Sequence, residues 1–140
     1  MATIRKSKPE DTAQLEKLFH LTCQHTFTSR PKDEFQIGDY AKSVEEDEVW
    51  VAEKDDLVVG FISTYSADNF LHNLFVHPDH QGKGIGTQLL KIAEENLKRP
   101  MTLKIAMDNR KACAFYESRG WFQVSVHEDA PEPYMLYKKD

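Results

Sequence analysis

Apolar and polar positions follow two rhythms along this chain, and the changes of rhythm mark its elements. Thr3 to Lys6 is short enough for an edge strand. Lys8-Pro9-Glu10-Asp11 starts a helix, since proline suits a first turn and acids suit a helix N-terminus. Ala13, Leu15, Leu18, Phe19 and Leu21 then make a loose helical stripe reaching about Gln24. Phe27 to Lys32, with Arg30-Pro31 inside it, is expected to be a loop, and Asp33 to Val44 a short second helix. The middle turns β-like. Glu48 to Glu53 and Leu57 to Tyr65 flank the turn residues Asp55-Asp56 and predict a hairpin. After Ser66 to Asn69, Phe70 to Val76 predicts a third strand of this group. Gly84 to Leu97 returns to the helical period through Ile85, Leu89, Leu90, Ile92, Ala93 and Leu97, and Arg99-Pro100 stops it. Leu103 to Met107 predicts a strand and Lys111 to Arg119 a helix ended by Gly120. Trp121 to Val126 and Tyr134 to Lys138 predict the last two strands. Strands alternating with helices in this order predict an α/β fold with a mixed sheet.

Composition narrows the class. The 140 residues fit one domain spanning 1–140, with 40% apolar and 29% charged residues. Lys plus Arg total 18 against 23 Asp plus Glu, a formal net charge of −5. Proteins that live on nucleic-acid phosphates or anionic membranes are usually basic, so neither partner is expected. No apolar run approaches the roughly 18 residues of a membrane span. Met1 to Lys8 lacks the apolar stretch of a secretion signal, so a cytoplasmic setting is expected. Cys23 and Cys113 are too few and too far apart for a disulfide framework or a zinc pattern, and are expected to be reduced thiols.

One segment carries chemistry. In Phe75-Val76-His77-Pro78-Asp79-His80-Gln81-Gly82-Lys83-Gly84-Ile85-Gly86-Thr87 a strand ends, a turn follows, and alternate glycines open a helix. Glycine lets backbone approach a ligand with no Cβ in the way. The unpaired N–H groups and dipole of a helix start favour an anion, and a pyrophosphate suits such a loop, with Lys83 at its rim. The loop is not a Walker motif, because no Lys-Ser/Thr stands at the required spacing. Nor is it the Gly-x-Gly-x-x-Gly dinucleotide fingerprint, since position 87 is Thr. His77, Asp79 and His80 match no standard metal-ligand spacing, and no metal is expected. The acidic run Glu45-Glu46-Asp47-Glu48 reads as a solvated turn, or alternatively as a lure for a cationic substrate.

With its flanks, the segment resembles the acyl-CoA-binding motif of the GNAT superfamily of N-acetyltransferases. Gln81, Gly84 and Gly86 match Gln/Arg-x-x-Gly-x-Gly/Ala, after the apolar strand end Leu74-Phe75-Val76 and Pro78. Downstream, Asn109, Ala112, Tyr116 and Gly120 match the similar Asn-x-x-Ala-x-x-x-Tyr-x-x-x-Gly-Phe segment, with Trp121 in place of Phe. The resemblance implies a central sheet of about seven strands, flanked by about four helices and splayed between its two central strands. It implies acetyl-CoA as cosubstrate. Leu74, Phe75 and Val76 would contact the pantetheine arm, and Gln81, Gly82, Lys83, Gly84, Ile85, Gly86 and Thr87 the pyrophosphate. Asn109 would cap a helix and also bond the pantetheine. The acetyl group would pass directly to a primary amine of a small molecule or peptide, with a strand N–H beside the thioester carbonyl. Tyr116 is the expected general acid for the departing thiolate, because a phenol is protonated at neutral pH. His72 is the first candidate for general base, followed by Asp68, Asn69 or ordered water. Phe27, Phe35, Tyr40 and Tyr134 are candidates for an acceptor pocket, and serve equally as core. Monomer and homodimer are both open, and a non-catalytic acyl-CoA-binding module is the alternative to an enzyme.

Overall fold

The computed structural model describes residues 2–26, 39–131 and 133–140. Seven strands form one sheet: β1 (Thr3–Lys6), β2 (Glu48–Lys54), β3 (Leu57–Tyr65), β4 (Phe70–Val76), β5 (Met101–Ala106), β6 (Phe122–His127) and β7 (Tyr134–Lys139). Four helices flank it: α1 (Thr12–Thr26), α2 (Asp39–Ser43), α3 (Ile85–Asn96) and α4 (Arg110–Glu117). The order across the sheet is β1-β2-β3-β4-β5-β7-β6. The pair β4–β5 is parallel and the rest are antiparallel, so the sheet is mixed as expected. Boundaries moved little. β5 begins at Met101, directly after Pro100, rather than at Leu103. The expected loop at Phe27 to Lys32, the first half of the expected second helix and the pocket candidates Phe27 and Phe35 lie outside the described residues.

The sheet buries both faces. On one face Ile85, Leu89, Leu90 and Ala93 of α3 and Tyr116 of α4 pack with Ile62, Leu71, Leu103, Ile105 and Trp121. On the other face Leu15 and Leu18 of α1 and Tyr40 of α2 pack with Val49, Val51 and Phe61. An ionic knot ties the sheet edge to the start of α1. Arg5 of β1 holds buried Asp11 with two hydrogen bonds of 2.8 and 2.9 Å and reaches Glu53 of β2 at 3.0 Å. Asp11 also accepts from the Lys8 amide at 2.7 Å, so its carboxylate is well satisfied where it is buried.

Two irregularities at the centre position the functional site. The first is a bulge. Ser63 faces Asn73 while Thr64 faces Leu71, leaving His72 as the extra residue of β4. The second is a divergence. β4 and β5 pair only at Phe70↔Thr102 and Leu71↔Leu103, so β4 from His72 onward runs beside β3 alone.

Candidate acyl-CoA site

The divergence exposes chosen backbone groups. The His77 amide donates to the Val59 carbonyl at 2.8 Å, which sets the ladder phase between β3 and β4. In an antiparallel ladder, alternate residues turn their N–H and C=O to the same neighbour. Phase therefore directs Asn73 and Phe75 toward β3, and Leu74 and Val76 toward the side that β5 has left. The side chains of Leu74 and Val76 pack on the α3 and α4 face. Phe75 does the reverse. Its ring sits on the α1 face, 5.5 Å from that of Phe19 and 5.6 Å from that of Phe61. The expectation grouped Phe75 with its two neighbours at the pantetheine. The register separates them, because one residue along a strand reverses both backbone and side chain.

The turn after β4 carries the glycines of the expected anion site. Gly82 and Gly84 stand at φ +78° and +83°, and a Cβ on either would meet nothing within 4 Å. Both are therefore needed for backbone conformation, and both border open space. Gly84 caps α3, whose first residue, Ile85, is buried. Among the described residues, no acceptor receives the amides of residues 82–87. At Gly86 the two motif helices meet, and a Cβ there would make an ordinary van der Waals contact with the Phe115 ring at 3.5 Å. Gln81 braces the turn: its amide donates to the Val76 carbonyl at 3.0 Å, and its oxygen accepts from Lys111 at 3.0 Å. The resemblance implied a ligand contact for Gln81, and in this structure both ends of its side-chain amide hold protein groups. Lys83 is exposed at the rim.

Arg119 is a neighbour of this turn that sequence reasoning missed. Its guanidinium lies over the Phe115 ring at 3.8 Å and donates to the Thr87 hydroxyl at 2.7 Å and the Phe115 carbonyl at 2.9 Å. It brings a fixed cation to the first turn of α3. Its place just before Gly120 in the sequence carries no sign of this, because Thr87 lies on another helix.

Tyr116 is buried on α4, edge-on to Phe115 and Trp121 at 5.1 and 5.8 Å between ring centroids. Burial pushes its phenol above the ordinary value, partly opposed by the Arg119 charge, so the hydroxyl keeps its proton at neutral pH. Asn109 caps α4 as expected, its Oδ1 accepting from the Ala112 amide at 3.1 Å. Tyr137, on β7, donates to Glu117 at 2.6 Å and ties the end of α4 to the sheet.

The base candidates separate. His72 is exposed on the bulge, and its Nδ1 lies 2.8 Å from Asp47 Oδ2. Asn69 is structural: its Oδ1 accepts from the Lys98 amide at 2.9 Å and its carbonyl from the Thr102 amide at 3.2 Å. Asp68 is exposed on the adjoining turn. Tyr40 is core, edge-on to Phe61 at 5.4 Å, with its phenol pushed up to about 12 by burial. Tyr134 stacks on His127 at 4.5 Å beneath Lys104. His77 Nδ1 accepts from the Asp79 amide at 3.1 Å. Among the described residues, no three His, Cys, Asp or Glu gather as a metal site would require.

The structure is thus an open mixed sheet whose parted central strands meet a glycine turn with free amides. Residues 12–121 match the Acetyltransferase (GNAT) family, and the chain belongs to it. It is an acyltransferase of that family. It is similar to the peptidyl-lysine N-acetyltransferase YjaB of Salmonella typhimurium, with 31% identity over 97% of this chain and 95% of the relative. The solution structure of apo-form YjaB from Escherichia coli has the same fold, with TM-score 0.79, 24% identity and coverage of 99% of this chain and 95% of that one. So does the crystal structure of PaiA N-acetyltransferase from Thermoplasma acidophilum in complex with coenzyme A, with TM-score 0.77, 20% identity and coverage of 100% and 99%. Among the described residues, no helix is long and apolar enough to cross a membrane.

Proposed function

We propose that this protein transfers the acetyl group of acetyl-CoA directly to a primary amine, and that one domain spanning 1–140 performs the whole reaction. The observation that carries this is the continuity of the free amides at 82–87 with the open edge of β4 at Leu74 and Val76. The amides and the α3 dipole suit the pyrophosphate. The Leu74 backbone and the Val76 amide suit the amides of the pantetheine arm, which would extend the sheet as an added strand, while the Val76 carbonyl is held by Gln81. A β4 N–H is the donor for the negative charge that develops on the thioester oxygen.

Tyr116 protonates the departing sulfur and His72 accepts a proton from the amine. They serve β4 from different sides: Tyr116 from the α3 and α4 face, His72 from the turn after α2. The similarity to a peptidyl-lysine N-acetyltransferase supports a lysine side chain as acceptor, ahead of other small amines. The free thiol of Cys113 and the absence of a basic surplus support a cytoplasmic setting without nucleic-acid or membrane partners. The protein works as a monomer or as a homodimer.

The deciding experiment measures free thiol released from acetyl-CoA against polyamines, amino acids, aminoglycosides and lysine-containing peptides. Release with lysine peptides, and acetylation at Nζ by mass spectrometry, is the expected result. Coenzyme A binding without release for any amine would instead make the protein a non-catalytic acyl-CoA binder.

A further inference from the structure

The bulge residue His72 does not stand alone. It lines a cavity of about 330 Å³ together with Lys42, Ser43, Asp47, Tyr65 and Phe70, with Glu45 and Glu46 at the same wall. That volume is at the small end of ligand pockets. The cavity lies between the turn after α2 and the start of β4, and His72 is the first β4 residue past the last pair with β5. It therefore borders β4 at the residue where the two central strands part.

Asp47 is held through its backbone and its buried side chain. Its amide closes the turn on the Val44 carbonyl at 2.9 Å, and Val44 in turn donates to Tyr40 at 3.1 Å. Ser43 is pinned to the strand as well, because Asn73 Nδ2 donates to both Ser43 Oγ and Ser63 Oγ at 2.9 Å. The Asp47 side chain is only 5% exposed, while that of His72 is 41% exposed. An ionised carboxylate can only accept, so a neutral His72 ring making the 2.8 Å contact carries its proton on Nδ1. In that tautomer Nε2 keeps a free lone pair.

We propose that Asp47 is a positioning residue that holds His72 in the Nδ1–H tautomer, and that the cavity admits an alkylammonium acceptor to His72 Nε2. This rests on the reading of the protein as an amine acetyltransferase. The groups facing His72 are Asp47, Glu45, Glu46, Lys42 and Tyr65, with the Phe70 ring 5.9 Å away. Three carboxylates against one lysine favour a cation, and the aromatic walls suit its alkyl stem. In the transfer, the nitrogen forms a C–N bond to the acetyl carbon as the C–S bond breaks. The ammonium loses two protons overall. One passes through His72 to water, and the other replaces, by way of solvent, the proton that Tyr116 gives to the sulfur, so that Tyr116 is restored.

The first test needs no turnover. Nitrogen-15 NMR of the full chain should show His72 as the Nδ1–H tautomer, and Asp47→Asn should shift it toward Nε2–H. An Nε2–H tautomer in the unaltered protein overturns the proposal. In kinetics with acetyl-CoA, Asp47→Asn should lower kcat at least about tenfold and move the acidic limb of the pH profile, with KM for acetyl-CoA unchanged. It should cost nothing further in a His72→Gln background. Equal losses in both backgrounds, or an unmoved pH limb, make Asp47 merely structural and overturn the proposal. The amine probes are diaminopentane and a peptide with a single lysine. Turnover of the first assigns the cavity to free diamines and of the second to protein side chains, while turnover of neither overturns the alkylammonium assignment. Calorimetry with coenzyme A separates the two readings. Thiol release with an indifferent Asp47→Asn removes the dyad alone, whereas coenzyme binding with no release from any amine removes the enzymatic reading beneath it.

Discussion

At Tyr116 the chemistry depends on one oxygen held in a buried place. Burial keeps the phenol protonated, so it is available as a donor across the physiological range. Tyr116→Phe keeps the ring and its contacts with Phe115 and Trp121. It should lower kcat by about 100-fold or more while coenzyme A affinity in calorimetry changes little. A kcat within twofold of the unaltered protein would remove Tyr116 as the acid. Gly84 makes a complementary demand on backbone. At φ +83° a β-branched residue is strained, and its side chain would enter the open space over the amides. Gly84→Val should weaken coenzyme A binding by on the order of tenfold, consistent with a strain cost of about 1–3 kcal/mol. Equal affinity in a titration would show that the turn is not the pyrophosphate site. Both residues were readable from their motif spacing. Arg119 and Asp47 were not, since their partners Thr87 and His72 lie 32 and 25 residues away in sequence.

Among the elements, the start of α1 and the β1 edge depend on the Arg5–Asp11–Glu53 knot. Asp11→Asn keeps the shape and removes the charge from a nearly buried position beside Arg5. A loss of about 1–3 kcal/mol in urea unfolding at pH 7 is the expected outcome. The pH dependence follows from the direction of the shift. The Arg5 hydrogen bonds hold the Asp11 carboxyl below its ordinary value of 3.8, against the opposing effect of burial. The unfolded chain thus takes up the proton first as pH falls. The stabilisation is complete above the ordinary value and is lost as pH falls through the lowered one. Asp11→Asn should accordingly narrow the stability gap with the unaltered protein between pH 5 and the acid limit, and a gap independent of pH would contradict the assignment. Element order was legible because each change of hydrophobic period coincided with a turn or a proline. The start of β5 was not, because Met101 and Thr102 reveal their strand character only through pairing with Lys139 and Lys138.

For the whole molecule the decisive feature is that β4 and β5 pair at only two positions and then part. A cosubstrate that completes the sheet should bind the folded state alone. Coenzyme A at 100 times its Kd should then raise unfolding stability by about 2.7 kcal/mol. Hydrogen exchange should slow at Leu74, Val76 and residues 82–87, while Phe75, already turned to β3, should change little. Protection spread evenly along β4 would argue against the strand-like mode of binding. Charge acts at this scale too. A net charge of −5 agrees with acidic groups at the cavity wall and with a cationic partner.

The chain's own order of residues determined its elements, the glycine turn and the tyrosine helix, because these depend on local period, backbone permissiveness and short-range capping. The resemblance carried by those motifs extended this to family and cosubstrate. The resemblance also implied a splay between the central strands. Tertiary structure decided the residue at which it begins, since that depends on the bulge at His72 and on where β5 leaves β4. It alone separated Phe75 from Leu74 and Val76, through the phase of the β3 ladder. It alone set Asp47 against His72 and Arg119 against Thr87, because contacts between distant segments depend on how the elements pack and not on spacing along the chain.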